Sequence, residues 1–316
     1  MVDKTYISQQ IKEYATTIGF DICGICKAES VTNEEKNRLK DWLNQSFHAD
    51  MGYMANHFEK RIDPTLLVEG TKSIICVALN YFPDKKQAKD LPQIAYYAYG
   101  KDYHIVVKEK LQQLFDHVKS IIPTLEGRIF CDTAPVMERY WAAKAGLGFI
   151  GKNSLLILPK KGSYFFLGEL IVNIELDYDT PITLSCGNCT RCIDACPTKA
   201  IIAPKVINSK KCISYQTIEN KNEIDKEVIA NLNNRFYGCD ICQQVCPWNK
   251  YARPNSVNEF TPSEDILHLS IEKLEHLSIE QYQAIFKNSP IKRAKLSGLK
   301  RNSEAIKQSQ NNNSKD

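Results

Sequence analysis

The sequence predicts an α/β domain over residues 1–178, a cysteine-rich insert over 179–255 and a short α-helical region over 256–316. Three observations carry this reading. Strand-like and helix-like apolar patterns alternate through the first half, eight of the 12 cysteines crowd between residues 186 and 246, and helical periodicity returns after residue 261. A chain of 316 residues also exceeds the usual single core of about 100 to 200 residues, so more than one packed unit is expected.

Residues 3–18 read as an amphipathic helix, with Ile7, Ile11, Tyr14, Ala15 and Ile18 on one face and Gly19 as its stop. Charges inside this stretch argue against a secretory leader, and no run of ~20 apolar residues is available to span a bilayer. A cytoplasmic protein without a membrane partner is the expectation. Residues 20–26 (FDICGIC) alternate as a strand does, residues 72–79 (KSIICVAL) form the continuous apolar run of a buried strand, and residues 127–132 (GRIFCD) resemble it. Helical periodicity over residues 105–122 separates the last two. Residues 155–158 and 164–176 supply further strands, and a helix over 136–145 opens after Pro135, a favourable first-turn residue. Asp179 to Pro181 break the pattern, and the segment that follows has so little periodicity that its order must come from bound metal. From Thr261 a capped start (TPSED) leads into two short helical stretches, and the closing run QSQNNNSKD is expected to fray.

Hydrophobic residues at 43% and charged residues at 25% are ordinary for a globular chain, but 12 cysteines in a reducing compartment point to metal or redox chemistry. Cys186, Cys189, Cys192, Cys196 and Pro197 (CGNCTRCIDACP) reproduce the bacterial ferredoxin run, in which the three-residue gap carries the fourth thiolate to a second cluster. Cys239, Cys242, Cys246 and Pro247 repeat the end of the pattern, and Phe236 stands where the missing first cysteine would be. Counting ligands gives one [4Fe–4S] cluster to Cys186, Cys189, Cys192 and Cys246. The other takes Cys239, Cys242, Cys196 and, by elimination, Cys212. Paired structural zinc sites use the same CxxC units and are the alternative. Cys23, Cys26, Cys76 and Cys131 lie in strand-like runs and read as small buried hydrophobes, with a metal pair at Cys23 and Cys26 as the sharper alternative. Two clusters make an electron path, and the large domain preceding them favours an enzyme over a plain carrier module.

The formal charge of +4 hides an asymmetry, because residues 287–316 hold eight Lys or Arg against Glu304 and Asp316. Lys292, Arg293, Lys295, Lys300 and Arg301 form a candidate phosphate-binding face, with Lys60 and Arg61 as additions. A merely solvated charge run is the alternative.

Residues 132–153 (DTAPVMERYWAAKAGLGFIGKN), together with GSYFFLGEL, CISYQTIE and YGCDICQQVCPWN, strongly resemble the epoxyqueuosine reductase family, and the resemblance runs from about residue 51 to about residue 301. It implies an α/β N-terminal cobalamin-binding domain, a ferredoxin-like double [4Fe–4S] insert and a short α-helical C-terminal region. It further implies reduction of epoxyqueuosine to queuosine at the wobble position of tRNA, with cobalamin and two [4Fe–4S] clusters as cofactors, an external electron donor and a monomeric enzyme. A corrinoid reductive dehalogenase shares the cofactor logic but normally carries an export signal.

Asp132 matches the family's proton donor, and burial beside a neutral ligand would let it hold a proton near neutrality. Capping of the following helix is its bland reading. Arg139, Lys152, Asn153 and Ser154 are implied cofactor contacts, with Gly146, Gly148 and Gly151 letting backbone approach a planar ligand. His57, Tyr97, Asp102 and Tyr103 are further candidates for that pocket, while His57 and His104 read equally as surface residues. Ser214, Tyr215, Gln216, Asp240, Gln243 and Gln244 flank ligands of the second cluster and are placed either at the corrin edge or as hydrogen-bond partners of the cluster loops. No histidine sits in a recognisable cobalt-ligating motif. Family members commonly continue into a longer helical region, so a smaller tRNA contact is expected here.

Overall fold

The computed structural model describes residues 3–313. Its first core is built on a four-stranded sheet made of β1 (Ile22–Lys27), β2 (Ser73–Asn80), β3 (Gly127–Phe130) and β4 (Phe165–Val172), in the order β1-β2-β4-β3. Every neighbouring pair is antiparallel, with Ser73 opposite Val172 and Phe130 opposite Glu169. Alternating strands and helices ordinarily give parallel neighbours. Here β4 slots between β2 and β3 and runs against both, so the two strands joined by a helical crossover are parallel to each other without touching.

Helices α1 (Lys4–Thr17) and α3 (Tyr103–Ile121) cover one face, where Ile7, Ile11, Leu111 and Leu114 meet Val77 and Leu170. On the other face α4 (Glu138–Lys144) lays Trp141 and Ala142 against Ile74, Cys76 and Ile171. Cys26, Cys76 and Cys131 are buried in these apolar layers and Cys23 packs against one of them, as their strand settings predict. One element was legible but unread: α2 (Asn33–Asn44) opens on Thr32, whose hydroxyl accepts from the Glu35 backbone N–H at 3.4 Å.

A second core joins the insert to the C-terminal region. Phe236 and Tyr237 pack with Leu269, Leu274, Phe286, Ile291, Leu299 and Ile306, and the strand Arg235–Tyr237 pairs with Gln93–Ile94. The part of the insert around residues 213–237 is thus ordered by apolar burial and not by metal alone. Helix α5 (Lys295–Asn313) runs through most of the polar stretch expected to fray, because Leu299, Ala305 and Ile306 bury one of its faces, while residues 314–316 lie outside the described residues. Among the described residues no helix is long and apolar enough to cross a membrane.

Candidate active site

Within the insert most thiols that feel one another fall within one or the other set of the counting argument, although Cys242 also feels Cys192 of the other set. Burial pushes the Cys192 thiol up, and the neighbouring thiols of Cys186, Cys246 and Cys189 add to it. Burial raises Cys246 as well, the Trp248 N–H opposes the rise, and Cys186 and Cys189 add to it. In the other set burial raises Cys212, the N–H groups of Tyr215 and Ser214 oppose it, and Cys196 lies near. Burial takes Cys239 to about 12 against the pull of the Ile241 N–H, with Cys212 beside it, and Cys242 is raised by burial, Cys239 and Cys212. The Ala200 N–H donates to Cys196 Sγ at 3.2 Å. Backbone donors aimed at sulfur suit thiolates that share the charge of an iron–sulfur cluster. Among the described residues no three Cys, His, Asp or Glu side chains gather as ligands of a single ion.

The sheet delivers the other half of the chemistry. Strand β3 ends at Phe130, and Asp132 follows with φ +57°, a left-handed turn that points its carboxyl out of the sheet. Tyr103 Oη donates to Asp132 Oδ2 at 2.5 Å, His104 Nε2 lies 3.4 Å from the same oxygen, and His104 Nδ1 lies 2.7 Å from Asp102 Oδ1. The Asp132 backbone N–H donates to Glu138 Oε1. Burial lowers His104, but the carboxylates of Asp102 and Asp132 outweigh it and raise the imidazole to about 9. Burial works to raise Asp132, yet hydrogen bonds from His104 and Tyr103 and the charges of His104 and Arg293 hold it below the usual carboxylate range. Its side chain is 56% exposed, which weakens the pull of burial further. These surroundings favour the Asp132 carboxylate and a protonated His104 ring, whereas the sequence reading places a neutral ligand beside Asp132 to raise its proton affinity. Burial and the Asp132 charge push Glu138 up to about 7.

The remaining candidates divide. Arg139 donates to the Ser154 carbonyl, Ser154 adopts φ +63°, and Asn153 donates to the Cys242 carbonyl at 3.4 Å, which sets this turn beside the second thiol set. Lys152 accepts from the Lys205 N–H through its carbonyl. Gly146, Gly148 and Gly151 do not cradle a ligand: a Cβ on them would meet the Thr180 carbonyl, the Ile157 carbonyl and the Ile157 side chain, so protein already fills the space. Tyr97 is raised by burial and by its neighbours Tyr237, Tyr103 and Asp132, and so borders the Asp132 cluster, whereas His57 is an exposed left-handed residue opening the helix Phe58–Ile62. Gln216 donates to the Lys210 carbonyl, Tyr215 Oη to Asp50, and Gln243 to Tyr81 and Ser163, while buried Asp240 accepts from the Tyr96 N–H. These four spend their polar atoms on protein, in line with the hydrogen-bond alternative. The Ser214 carbonyl accepts the Thr217 hydroxyl at 3.4 Å, and the residue is half-buried.

The basic face divides too. Arg301 donates to the carbonyls of Gln216, Asn220 and Asn222 and clamps the insert, and Arg61 is buried with its guanidinium on the Tyr53 carbonyl. Arg293 pairs both its Nε and an Nη with Glu219 at 2.9 Å and lies over the Tyr53 ring beside Asp132. Lys292, Lys295 and Lys300 are exposed.

Comparison with known proteins bears on the whole assembly. A family model described as 4Fe-4S double cluster binding domain matches residues 185–249, and one described as Epoxyqueuosine reductase QueG, DUF1730 matches residues 61–133. An epoxyqueuosine reductase of Leadbetterella byssophila is 49% identical over 301 residues, covering 95% of this chain and 98% of that protein. The chain belongs to the epoxyqueuosine reductase family. The Escherichia coli epoxyqueuosine reductase is 37% identical over 92% of this chain and 78% of its own. A crystal structure of epoxyqueuosine reductase with an epoxyqueuosine-modified tRNA-Tyr stem loop superposes with a TM-score of 0.87 at 33% identity, covering 96% of this chain and 81% of that one. A Bacillus subtilis epoxyqueuosine reductase, solved with its catalytic aspartate loop swung out of the active site, matches with the same TM-score at 32% identity.

For an epoxyqueuosine reductase the cofactors are two [4Fe–4S] clusters and a cobalamin. The thiol sets with their N–H donors fit the clusters. The surface beside Asp132 offers polar groups to a broad ligand: Asp132, Thr133 and Arg139 are exposed, and the space over Gly52, next to Tyr53, is open. Cavities of about 230 and 440 Å³ near Gly19 and near Lys85 hold none of these groups. Sequence reasoning missed His104 as a partner of Asp132, and Glu138 and Glu169 altogether. A charged Glu169 inside the apolar run FFLGEL was the available signal.

Proposed function

We propose that this chain reduces epoxyqueuosine to queuosine in tRNA, with Asp132 handing a proton to the epoxide oxygen. Membership of the epoxyqueuosine reductase family, at 49% identity over 95% of the chain, is the observation that carries the reading. Bound cobalamin, reduced through the two clusters, supplies the electron pair that opens the C–O bond. Arg139, Lys152, Asn153 and Ser154 would hold that cofactor, on the side of the thiols of Cys239 and Cys242. Asp102 fixes the His104 ring, so that His104 keeps its second N–H on Asp132 and passes its proton through that carboxyl. Tyr103 steadies the same carboxyl. The exposed lysines Lys292, Lys295 and Lys300 lie along the tRNA backbone, and Arg293 with Tyr53 lines the entrance for the splayed base. The catalytic aspartate loop named for the Bacillus subtilis relative supports placing the acid on such a loop. An external reductant feeds the clusters.

The test is to incubate cluster-loaded protein, cobalamin and a reductant with epoxyqueuosine-containing tRNA and to weigh the released nucleoside. Loss of one oxygen atom is expected. Unchanged nucleoside, with clusters and corrin intact, removes the assignment.

A further inference from the structure

Turning an epoxide into an alkene consumes two electrons and two protons, and both protons leave on the same oxygen as water. The first C–O bond breaks and the oxygen takes one proton to become a hydroxyl. The second breaks only once a further proton converts that hydroxyl into leaving water. Asp132 delivers one proton at a time, and His104 accounts for one of the two. The site needs another proton that does not depend on exchange with solvent beneath a bound tRNA.

Glu138 occupies the place for it. Its Oε1 accepts the Asp132 backbone N–H, so its carboxyl is seated against the residue that performs the transfer. Behind it lies Glu169, which is 0% exposed and whose two carboxyl oxygens have no hydrogen-bond partner among the described residues. A buried, unpartnered carboxylate is so costly that the group stays neutral, and burial together with Glu138 and Asp132 raises its proton affinity well above normal. The indole Nε1 of Trp141, on the same helix as Glu138, is likewise buried without a partner. An unpaired acid and an unpaired donor inside an otherwise apolar layer are hard to explain as stabilising features. They are explained by a proton store. We propose that Glu138, backed by the neutral carboxyl of Glu169, supplies the second proton of the reaction to Asp132.

The groups facing Glu138 agree with that duty. From its own helix Arg139 favours the carboxylate, from α3 His104 does the same, and Asp132 opposes both. Arg61, Tyr103 and Cys131 also feel its charge, as Glu169 does from β4. The balance leaves Glu138 titrating at about 7, where it can both give and regain a proton.

This inference rests on the epoxide-reducing function, and its test separates the two. Infrared spectra of the cluster-loaded protein, recorded before and after cobalamin is added, are expected to show a titrating protonated-carboxyl band lost as pH rises through about 7, distinct from that of buried Asp240 lost at about 6, and a further band that persists. Glu138→Gln should abolish the band lost at about 7 alone, lower kcat about tenfold or more with KM for tRNA kept, and remove the fall in kcat on the alkaline side of 7. Glu138→Asp, which keeps a carboxyl, should restore the band and part of the rate. If that band survives in Glu138→Gln, or if that variant keeps the wild-type kcat and pH profile, the proposal is overturned. Failure of wild-type protein to form queuosine would instead strike the function, while the infrared result still judges Glu138.

Discussion

The two halves of the site use the same kind of side chain to opposite ends. In the sheet domain Cys76 and Cys131 lie in apolar layers and burial raises their thiols with no backbone N–H opposing it. In the insert Cys212, Cys239 and Cys246 are raised by burial too, but each faces one or more opposing N–H groups. The first set is packing material, and the second has backbone donors aimed at its sulfurs, as cluster ligands do. The contrast extends to function: the sheet edge at Asp132, His104 and Glu138 handles protons, and the cysteine loops handle electrons.

The sharpest way to break that division is to delete one thiol of each kind. Cys212→Ala should lower bound iron from about eight toward about four per chain and abolish turnover, read by iron analysis and nucleoside mass. Cys131→Ala should keep all the iron and cost about 1 to 2 kcal/mol of stability through the cavity it leaves. Iron loss in Cys131→Ala would collapse the distinction. Next in size, Asp132→Asn should retain both clusters and cobalamin while kcat falls on the order of 100-fold or more. Near-normal turnover would move proton delivery to another group.

The smallest effect concerns His104. Its proton affinity is raised by folding, from an unfolded value of about 6.5 to about 9, so it adds stability that is complete below about 6.5 and is lost as pH rises through about 9. With its side chain 26% exposed, that contribution is on the order of 1 kcal/mol after screening. Denaturant midpoints of wild type and His104→Gln should differ at pH 6 and converge above pH 9. An equal gap at both would show that His104 acts through packing alone.

Much of this was legible along the chain. Apolar periodicity placed the helices 4–17 and 103–121 and the strands at 73–80 and 165–172 close to where they lie, and cysteine spacing marked the insert as a ferredoxin-like double-cluster segment, which the family model over residues 185–249 matches. Other features were not. The antiparallel insertion of β4, the clamp of Arg301 on the insert carbonyls and the filled space around Gly146, Gly148 and Gly151 depend on which distant segments meet. A motif offered Asp132 as the candidate acid, whereas its contacts with Tyr103 and His104 were not legible there.

The sequence by itself determined the residue types and their local spacing: which segments bury an apolar face, and where the CxxC runs with their following prolines fall. Tertiary structure alone decided that His104, 28 positions before Asp132, meets its carboxyl, and that Glu138 and Glu169 stack behind it. Proton affinity depends on burial and on charges only a few ångströms away, and those distances exist only once the sheet has brought its strands together.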